Sequence, residues 1–196
     1  MTLFAGVTQK LQQSELLQSF AAILGILVLT LTFSWPGAAE PNDSWANVAQ
    51  VRSVLFMLFA VGFGASAGAS RAEGLETLLA WWLLALLSLP IEAFAYAASY
   101  PDAPVWWLAA QPLFDVGAYF GIGLLLGRAL RRLPALLPLV PLLVFAALFS
   151  LSTTLGAPLL NPLATVRLAW PHLVTTALLT LATLTFCIRS RLRDAD

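Results

Sequence analysis

The chain has 196 residues and no formal net charge, with 60% apolar residues, 10% charged residues and a mean hydropathy of +0.85. A soluble domain carries about 25% charged residues, and so few polar groups would not cover its surface. The composition excludes an ordinary soluble domain and predicts an all-α integral membrane protein. The balanced and scattered charges also exclude nucleic acid as a partner.

Three residue types that occur once each exclude several kinds of cofactor site. Cys187 is the only cysteine, which excludes an intrachain disulfide and a cysteine metal cluster. His172 is the only histidine, which excludes a bis-histidine haem and a multi-histidine zinc site. Lys10 is the only lysine and follows a glutamine, so the chain lacks a phosphate-binding Gly-Lys loop. We therefore expect no cofactor, no metal and no ATP bound through such a loop.

Six apolar stretches follow one another in a single transmembrane domain, residues 1–196. Stretches of about 20 residues with almost no charge are typical of transmembrane helices. The predicted spans are residues 16–35, 51–69, 77–98, 105–127, 133–151 and 168–188. An apolar stripe near the start predicts a short helix lying along the membrane interface before the first span. The stripe consists of Leu3, Phe4, Val7, Leu11 and Leu16.

The uncharged segment at residues 133–166 is too short for two spans. Its 34 residues would form about 51 Å of helix, whereas two full spans need about 60 Å. Gly156, Pro158 and Pro162 would also interrupt a continuous helix. We therefore expect one span followed by a re-entrant segment at residues 152–166, on the outer side of the membrane.

The basic residues predict the orientation of the chain. With the N-terminus inside, only Arg52 and Arg167 fall on the outer side. The other eight fall on the cytoplasmic side: Lys10, Arg71, Arg128, Arg131, Arg132, Arg189, Arg191 and Arg193. Because basic residues favour the cytoplasmic side, we expect a multi-pass protein of the cytoplasmic membrane with both ends inside.

Five ionisable residues are predicted to lie near one another. Glu92 and Asp115 lie inside spans, where ionisable side chains are expensive and usually have a partner. Arg52, Arg167 and His172 lie near the outer ends of their helices. Such a cluster can line a substrate path or relay protons, or it can fix the bundle through ion pairs between helices. No catalytic constellation is evident, although an intramembrane enzyme using Glu92 and Asp115 remains an alternative.

Small and hydroxyl side chains recur at helical spacing. Glycines four residues apart let helices approach closely, either within one bundle or between two chains. Such pairs are Gly64 and Gly68, Gly117 and Gly121, and Gly123 and Gly127. Thr176, Thr180 and Thr183 share one face of the last span, where such hydroxyls often bond the backbone of their own helix.

Two segments resemble the six-helix permease subunits of ATP-binding-cassette exporters. Residues 71–79, Arg-Ala-Glu-Gly-Leu-Glu-Thr-Leu-Leu, resemble the Gly-Thr-Leu-Glu-x-Leu-Leu signature of that family, without its Thr after Gly74. Residues 160–167, Leu-Asn-Pro-Leu-Ala-Thr-Val-Arg, are similar to the Asn-Pro element before the final helix. Residues 9–17 also resemble the amphipathic start of that family, and residues 189–193 its basic end.

The resemblance implies a function, which is ATP-driven transport of a substrate across the membrane, and two partners. A second permease chain, identical or different, would complete the pathway, and a separate ATPase subunit would dock on the cytoplasmic side through Arg71, Glu73 and Glu76. Glu92 and Asp115 would line or brace the path. The alternatives are a substrate-binding membrane subunit of an energy-coupling-factor vitamin importer, a structural subunit of a larger membrane complex, and the intramembrane enzyme.

Overall fold

A computed structural model describes most of the chain, and every regular element in the described residues is a helix. The described residues are 3–11, 14–34, 41–70, 74–99, 105–155 and 170–193. The α-helices are α1 (Leu3–Leu11), α2 (Ser14–Ser34), α3 (Pro41–Ser70), α4 (Gly74–Ser99), α5 (Val105–Ala129), α6 (Val140–Leu155) and α7 (Trp170–Arg193). A 3-10 helix, Pro134–Leu139, precedes α6. The all-α prediction is confirmed for this part of the chain.

Four helical segments have the length and apolar composition to cross a membrane. They are Ser53–Ser70, Ala110–Ala129, Pro134–Thr154 and Trp170–Leu192, which correspond to the second, fourth, fifth and sixth predicted spans. The described apolar parts of α2 and α4 are shorter, at Glu15–Ile26 and Gly74–Leu87. The first and third spans therefore stay predictions.

The fifth predicted span corresponds to the apolar segment Pro134–Thr154, but this segment is not a single α-helix. Its first residues form a 3-10 helix that begins at Pro134 and contains Pro138, because a proline has no N–H to donate within an α-helix. The α-helix starts only at Val140 and continues to Leu155. Residues 152–155, which we expected in the re-entrant segment, therefore belong to α6. Residues 156–166 lie outside the described part of the chain.

The first helix, α1, packs against the start of α4. Val7 is buried, whereas Phe4 is 83% exposed. A Cβ on Gly6 would lie 2.7 Å from Cγ of Glu76, so the backbone of α1 rests directly on that side chain. The apolar stripe of α1 is thus divided between a buried face and an exposed face.

Helices α3 and α5 run parallel and touch along a seam of glycines. Gly64 faces the carbonyl of Phe120, and Gly68 faces that of Leu124. In return, Gly123 and Gly127 on α5 face the carbonyls of Val61 and Ala65 on α3. Residues later in α3 contact residues later in α5, so the two helices point in the same direction. Two of the three predicted glycine pairs therefore pack against each other within one chain.

Helix α7 is parallel to α5, and α4 is antiparallel to both. Gly117 lies against Thr180 and Gly121 against Thr183. Gly74, the first residue of α4, instead lies near Cys187, close to the end of α7. Helices α3, α5 and α7 therefore finish at one end of the bundle, where α1 and the start of α4 also lie.

We call this end the basic end, because the described cationic side chains lie there. They are Lys10, Arg128, Arg131, Arg132, Arg189 and Arg191. All six belong to the group of eight predicted to share the cytoplasmic side. Arg71 lies outside the described residues, and the side chain of Arg193 is not described.

An aromatic cluster forms the centre of the core between α3 and α4. Trp81 is fully buried, and its ring lies 5.3–6.1 Å from the rings of Phe56, Phe59 and Phe63. Tilted aromatic pairs at such distances add to the gain from burying apolar area. This cluster fixes α4 against α3.

Candidate functional site

A buried acid–histidine pair joins α5 to α7. His172 Nε2 lies 2.8 Å from Asp115 Oδ1, and the two residues are 1% and 7% exposed. Asp115 lies 14 residues before the end of α5 at Ala129, which corresponds to about 21 Å of helix. The pair is therefore well inside the bundle, displaced from the basic end toward the opposite end.

Further buried polar side chains lie near the pair along α5 and α7. Gln111, Asp115 and Tyr119 follow at four-residue spacing on α5, and all three are buried. Thr176 and Thr180 continue the line on α7 and are also buried. A polar stripe within an otherwise apolar bundle is expensive unless its groups are hydrogen-bonded.

The threonines of this stripe are satisfied by backbone carbonyls. Thr176 Oγ1 donates to the carbonyl of His172 at 3.0 Å, within its own helix, as expected for a helical threonine. Thr180 Oγ1 instead donates across the interface to the carbonyl of Phe114 at 2.7 Å. This second bond holds α7 in register with α5 one residue before Asp115.

The chemistry open to the pair is the holding and release of one proton. With this proton bound, either an imidazolium N–H donates to the carboxylate, or a protonated carboxyl donates to the neutral imidazole nitrogen. Loss of the shared proton would leave one negative charge on the pair in a poorly hydrated place. Among the described side chains, no three His, Cys, Asp or Glu residues come together to hold a metal ion.

The structure unites two of the five residues predicted to form the polar cluster, Asp115 and His172. Glu92 lies on α4 and Arg52 on α3, but their side chains are not described, and Arg167 lies outside the described residues. The five-residue cluster therefore stays a prediction beyond this pair.

The register of α4 against α5 does not favour an acid pair of Glu92 with Asp115. Trp82 Nε1 donates to the carbonyl of Leu113 at 2.9 Å, which sets Trp82 level with that part of α5. Glu92 follows Trp82 by ten residues, or about 15 Å of helix, and lies toward the end opposite the basic end. The partner of Asp115 is instead His172 on α7.

A second ion pair, at the basic end, involves one of the predicted docking residues. Arg191 Nη1 on α7 donates to Glu76 Oε1 on α4, and Glu76 is 8% exposed beneath Gly6 of α1. Its carboxylate therefore ties α4 to α7 and is poorly placed to meet a cytoplasmic partner. Arg71 and Glu73 lie outside the described residues, so the docking hypothesis depends on them.

The pair of Glu76 with Arg191 was missed by the sequence analysis. The two residues are separated by 115 positions, and neither lies in a recognisable pattern with the other. The only sequence signal is indirect: a carboxylate in the first turn of an apolar helix, followed much later by a cationic helix end. The glycine spacing in α3 and α5, by contrast, predicted the close approach of helices that the structure shows.

Searches of protein-family models, of curated proteins and of solved structures find no match to this chain.

Proposed function

We propose that the chain is a multi-pass protein of the cytoplasmic membrane with six spans and both ends in the cytoplasm. Four helices long and apolar enough to span support this arrangement. The parallel directions of α3, α5 and α7 also fit it, since every second span of such a protein points the same way. The basic end is then cytoplasmic, in line with the preference of Arg and Lys for that side.

Labelling of single cysteines tests this topology. In a Cys187→Ala background, Arg132→Cys places a thiol at the basic end, and Asp102→Cys places one in the sequence between α4 and α5. We expect an impermeant maleimide to label Asp102→Cys in intact cells, and Arg132→Cys only after permeabilisation. Labelling of both or neither in intact cells, or the reverse pattern, would contradict the topology.

Within that membrane, we propose that the chain is the permease subunit of an ATP-driven transporter and translocates a substrate with a separate ATPase subunit. The observation that carries the proposal is the buried pair of Asp115 and His172. Ionisable residues among spanning helices are costly and commonly mark substrate or proton paths. A purely structural brace would not need them, because apolar side chains of similar volume often stabilise a core as well or better.

The ATPase partner follows from the resemblance of residues 71–79 and 160–167 to exporter permeases. In this proposal, ATP-driven closure of the ATPase pair rocks the helices of two permease chains. The environment of the pair of Asp115 with His172 must then differ between the inward-open and outward-open states, because only a differential interaction can shift such an equilibrium.

Purification in a mild detergent, followed by mass spectrometry of everything that accompanies the tagged chain, tests the partner. We expect an ATPase subunit in stoichiometric amount. Glu73→Lys should reduce it, whereas Glu15→Lys, which makes the same charge change at an exposed position of α2, should not. A preparation that contains the chain alone, or only membrane subunits without an ATPase, would contradict the proposal.

A further inference from the structure

An apolar groove runs between α5 and α7 on the outer surface of the bundle. Its volume is about 210 Å³. Small residues and larger apolar side chains line it together. The small residues are Ala118, Gly121 and Ala182, and the larger ones include Leu125, Leu179 and Phe186.

The groove exists because the two helices lie close together and have small side chains on this side. Gly121 meets the hydroxyl of Thr183 so closely that a Cβ there would lie 1.9 Å from Oγ1. Leu125 beside it is 61% exposed, and Leu181 on α7 is 59% exposed. The groove therefore opens on an apolar outer surface, which faces lipid in the membrane topology proposed above.

The guanidinium of Arg128 lies beside Phe186, one of the residues that line the groove, on the side toward the basic end. The Arg128 guanidinium carbon lies 4.1 Å from the centre of the Phe186 ring, a cation–π contact. Its Nη2 donates to Ser190 Oγ at 3.2 Å. Arg128 follows Gly121 by seven residues, or about 10 Å of helix. An apolar channel thus leads directly to a positioned cation, with Arg131 and Arg189 exposed nearby.

We propose that this groove binds one anionic phospholipid. An acyl chain lies along Ala118, Gly121 and Ala182, and the headgroup phosphate accepts hydrogen bonds from Arg128. Arg131 and Arg189 add to the positive potential around the phosphate. Basic sites at the cytoplasmic ends of spanning helices suit anionic headgroups for this reason. The proposal rests on the membrane location within the proposed function, and it does not depend on an ATPase.

Charge favours a lipid over a second copy of the chain as the occupant. A symmetric dimer places the same surface of both copies face to face. Exposed Arg128, Arg131 and Arg189 would then approach their counterparts, and like charges brought together at an interface cost affinity. An anionic headgroup neutralises the same cations and leaves the apolar part of the groove to the acyl chain.

Native mass spectrometry of the purified protein tests the site. The probes are phosphatidylglycerol and phosphatidylcholine with identical acyl chains. We expect the wild type to retain one phosphatidylglycerol, with about a tenfold preference over phosphatidylcholine. Arg128→Gln should abolish the preference, and Ala182→Leu should lower the occupancy of both lipids. The matched controls are Arg132→Gln, which removes the same charge at another exposed position, and Ala147→Leu on the exposed face of α6.

Thermal melts must first show that Arg128→Gln and Ala182→Leu remain folded, and Arg128→Lys, which keeps the charge, provides a milder variant. Absence of a stoichiometric lipid from the wild type, or equal loss of preference in Arg132→Gln, would overturn the proposal. A dimer that Ala182→Leu dissociates would also overturn it, because the groove would then hold a second copy. The labelling experiment tests the membrane topology, and the ATPase purification tests the transport role. Failure of the lipid site can therefore be distinguished from failure of the proposed function.

Discussion

The glycine seam between α3 and α5 gives the sharpest prediction for stability. A Cβ added at Gly64 would lie 2.1 Å from the carbonyl oxygen of Phe120, and one at Gly127 would lie 2.0 Å from that of Ala65. Both obstacles are backbone atoms, so no side-chain rotation relieves them. Gly64→Ala therefore forces the two helices apart.

The size of the effect follows from these distances. A carbon next to a carbonyl oxygen normally lies about 3.3 Å away, so α3 and α5 must separate locally by about 1.2 Å. Overpacking of this kind costs about 3 kcal/mol at the upper end of its usual range. The better helix propensity of alanine returns about 1 kcal/mol. The net loss at Gly64→Ala is about 2 kcal/mol, a roughly 30-fold fall in the ratio of folded to unfolded protein.

Gly25 on α2 is the matched control, because a Cβ added there meets nothing within 4 Å. Thermal unfolding of the purified protein in detergent, monitored by tryptophan fluorescence, gives the Tm of both variants. Gly64→Ala should lower the Tm by about 4–8 °C, at about 2–4 °C per kcal/mol for a chain of this length. Gly25→Ala should leave it equal or higher.

The double variant Gly64→Ala/Gly127→Ala adds a second test. Because one separation of the helices relieves both contacts, the two losses should sum to more than the measured loss of the double variant. Equal stability of Gly64→Ala and Gly25→Ala would refute the close approach of α3 and α5.

Two further predictions use the same melts. Asp115→Leu and His172→Leu should each lower the free energy of unfolding by about 3–5 kcal/mol, because each leaves a buried polar partner uncompensated. The double leucine variant should be closer to the wild type in stability. A double variant as unstable as the sum of the two single variants would contradict the pairing. Thr180→Val should cost about 1 kcal/mol, because its hydroxyl bonds across the interface to Phe114. Thr185→Val, whose exposed hydroxyl bonds its own helix, should change stability by less than about 0.5 kcal/mol, and an equal effect of the two would argue against the cross-helix bond.

Hydropathy predicted where the helices lie but not how each one begins or ends. The apolar runs located α2 to α7, because burial in lipid demands continuous apolar length. The fifth stretch lies where it was predicted, but apolar composition does not distinguish a 3-10 helix from an α-helix at its start. Pro138 there lacks the N–H that a regular α-helix would use. The continuation of α6 to Leu155 likewise depends on backbone geometry that hydropathy does not report.

The candidate site was predictable in its members but not in its pairing. The cost of an ionisable group among apolar neighbours indicated Asp115 and His172 from the sequence alone. Which residues meet depends on the register of α5 against α7, which is fixed by the contact of Gly117 with Thr180. Glu76 was predicted to be a docking residue, and it lies buried in the first turn of α4 against Arg191. This contact was not predictable because the two residues are 115 positions apart.

ATP hydrolysis by the co-purified assembly in liposomes tests most directly whether the buried pair serves transport. Asp115→Asn and His172→Gln keep hydrogen-bonding groups at 7% and 1% exposed positions, but each removes one of the two groups that can gain or lose a proton. Thr183→Val is the control, because Thr183 is buried on α7 and its hydroxyl bonds the backbone of that helix. We predict a roughly tenfold fall in hydrolysis for the first two variants, equivalent to about 1.4 kcal/mol, and wild-type hydrolysis for the control. Full hydrolysis by folded Asp115→Asn and His172→Gln would contradict the account and leave the pair as a brace between α5 and α7.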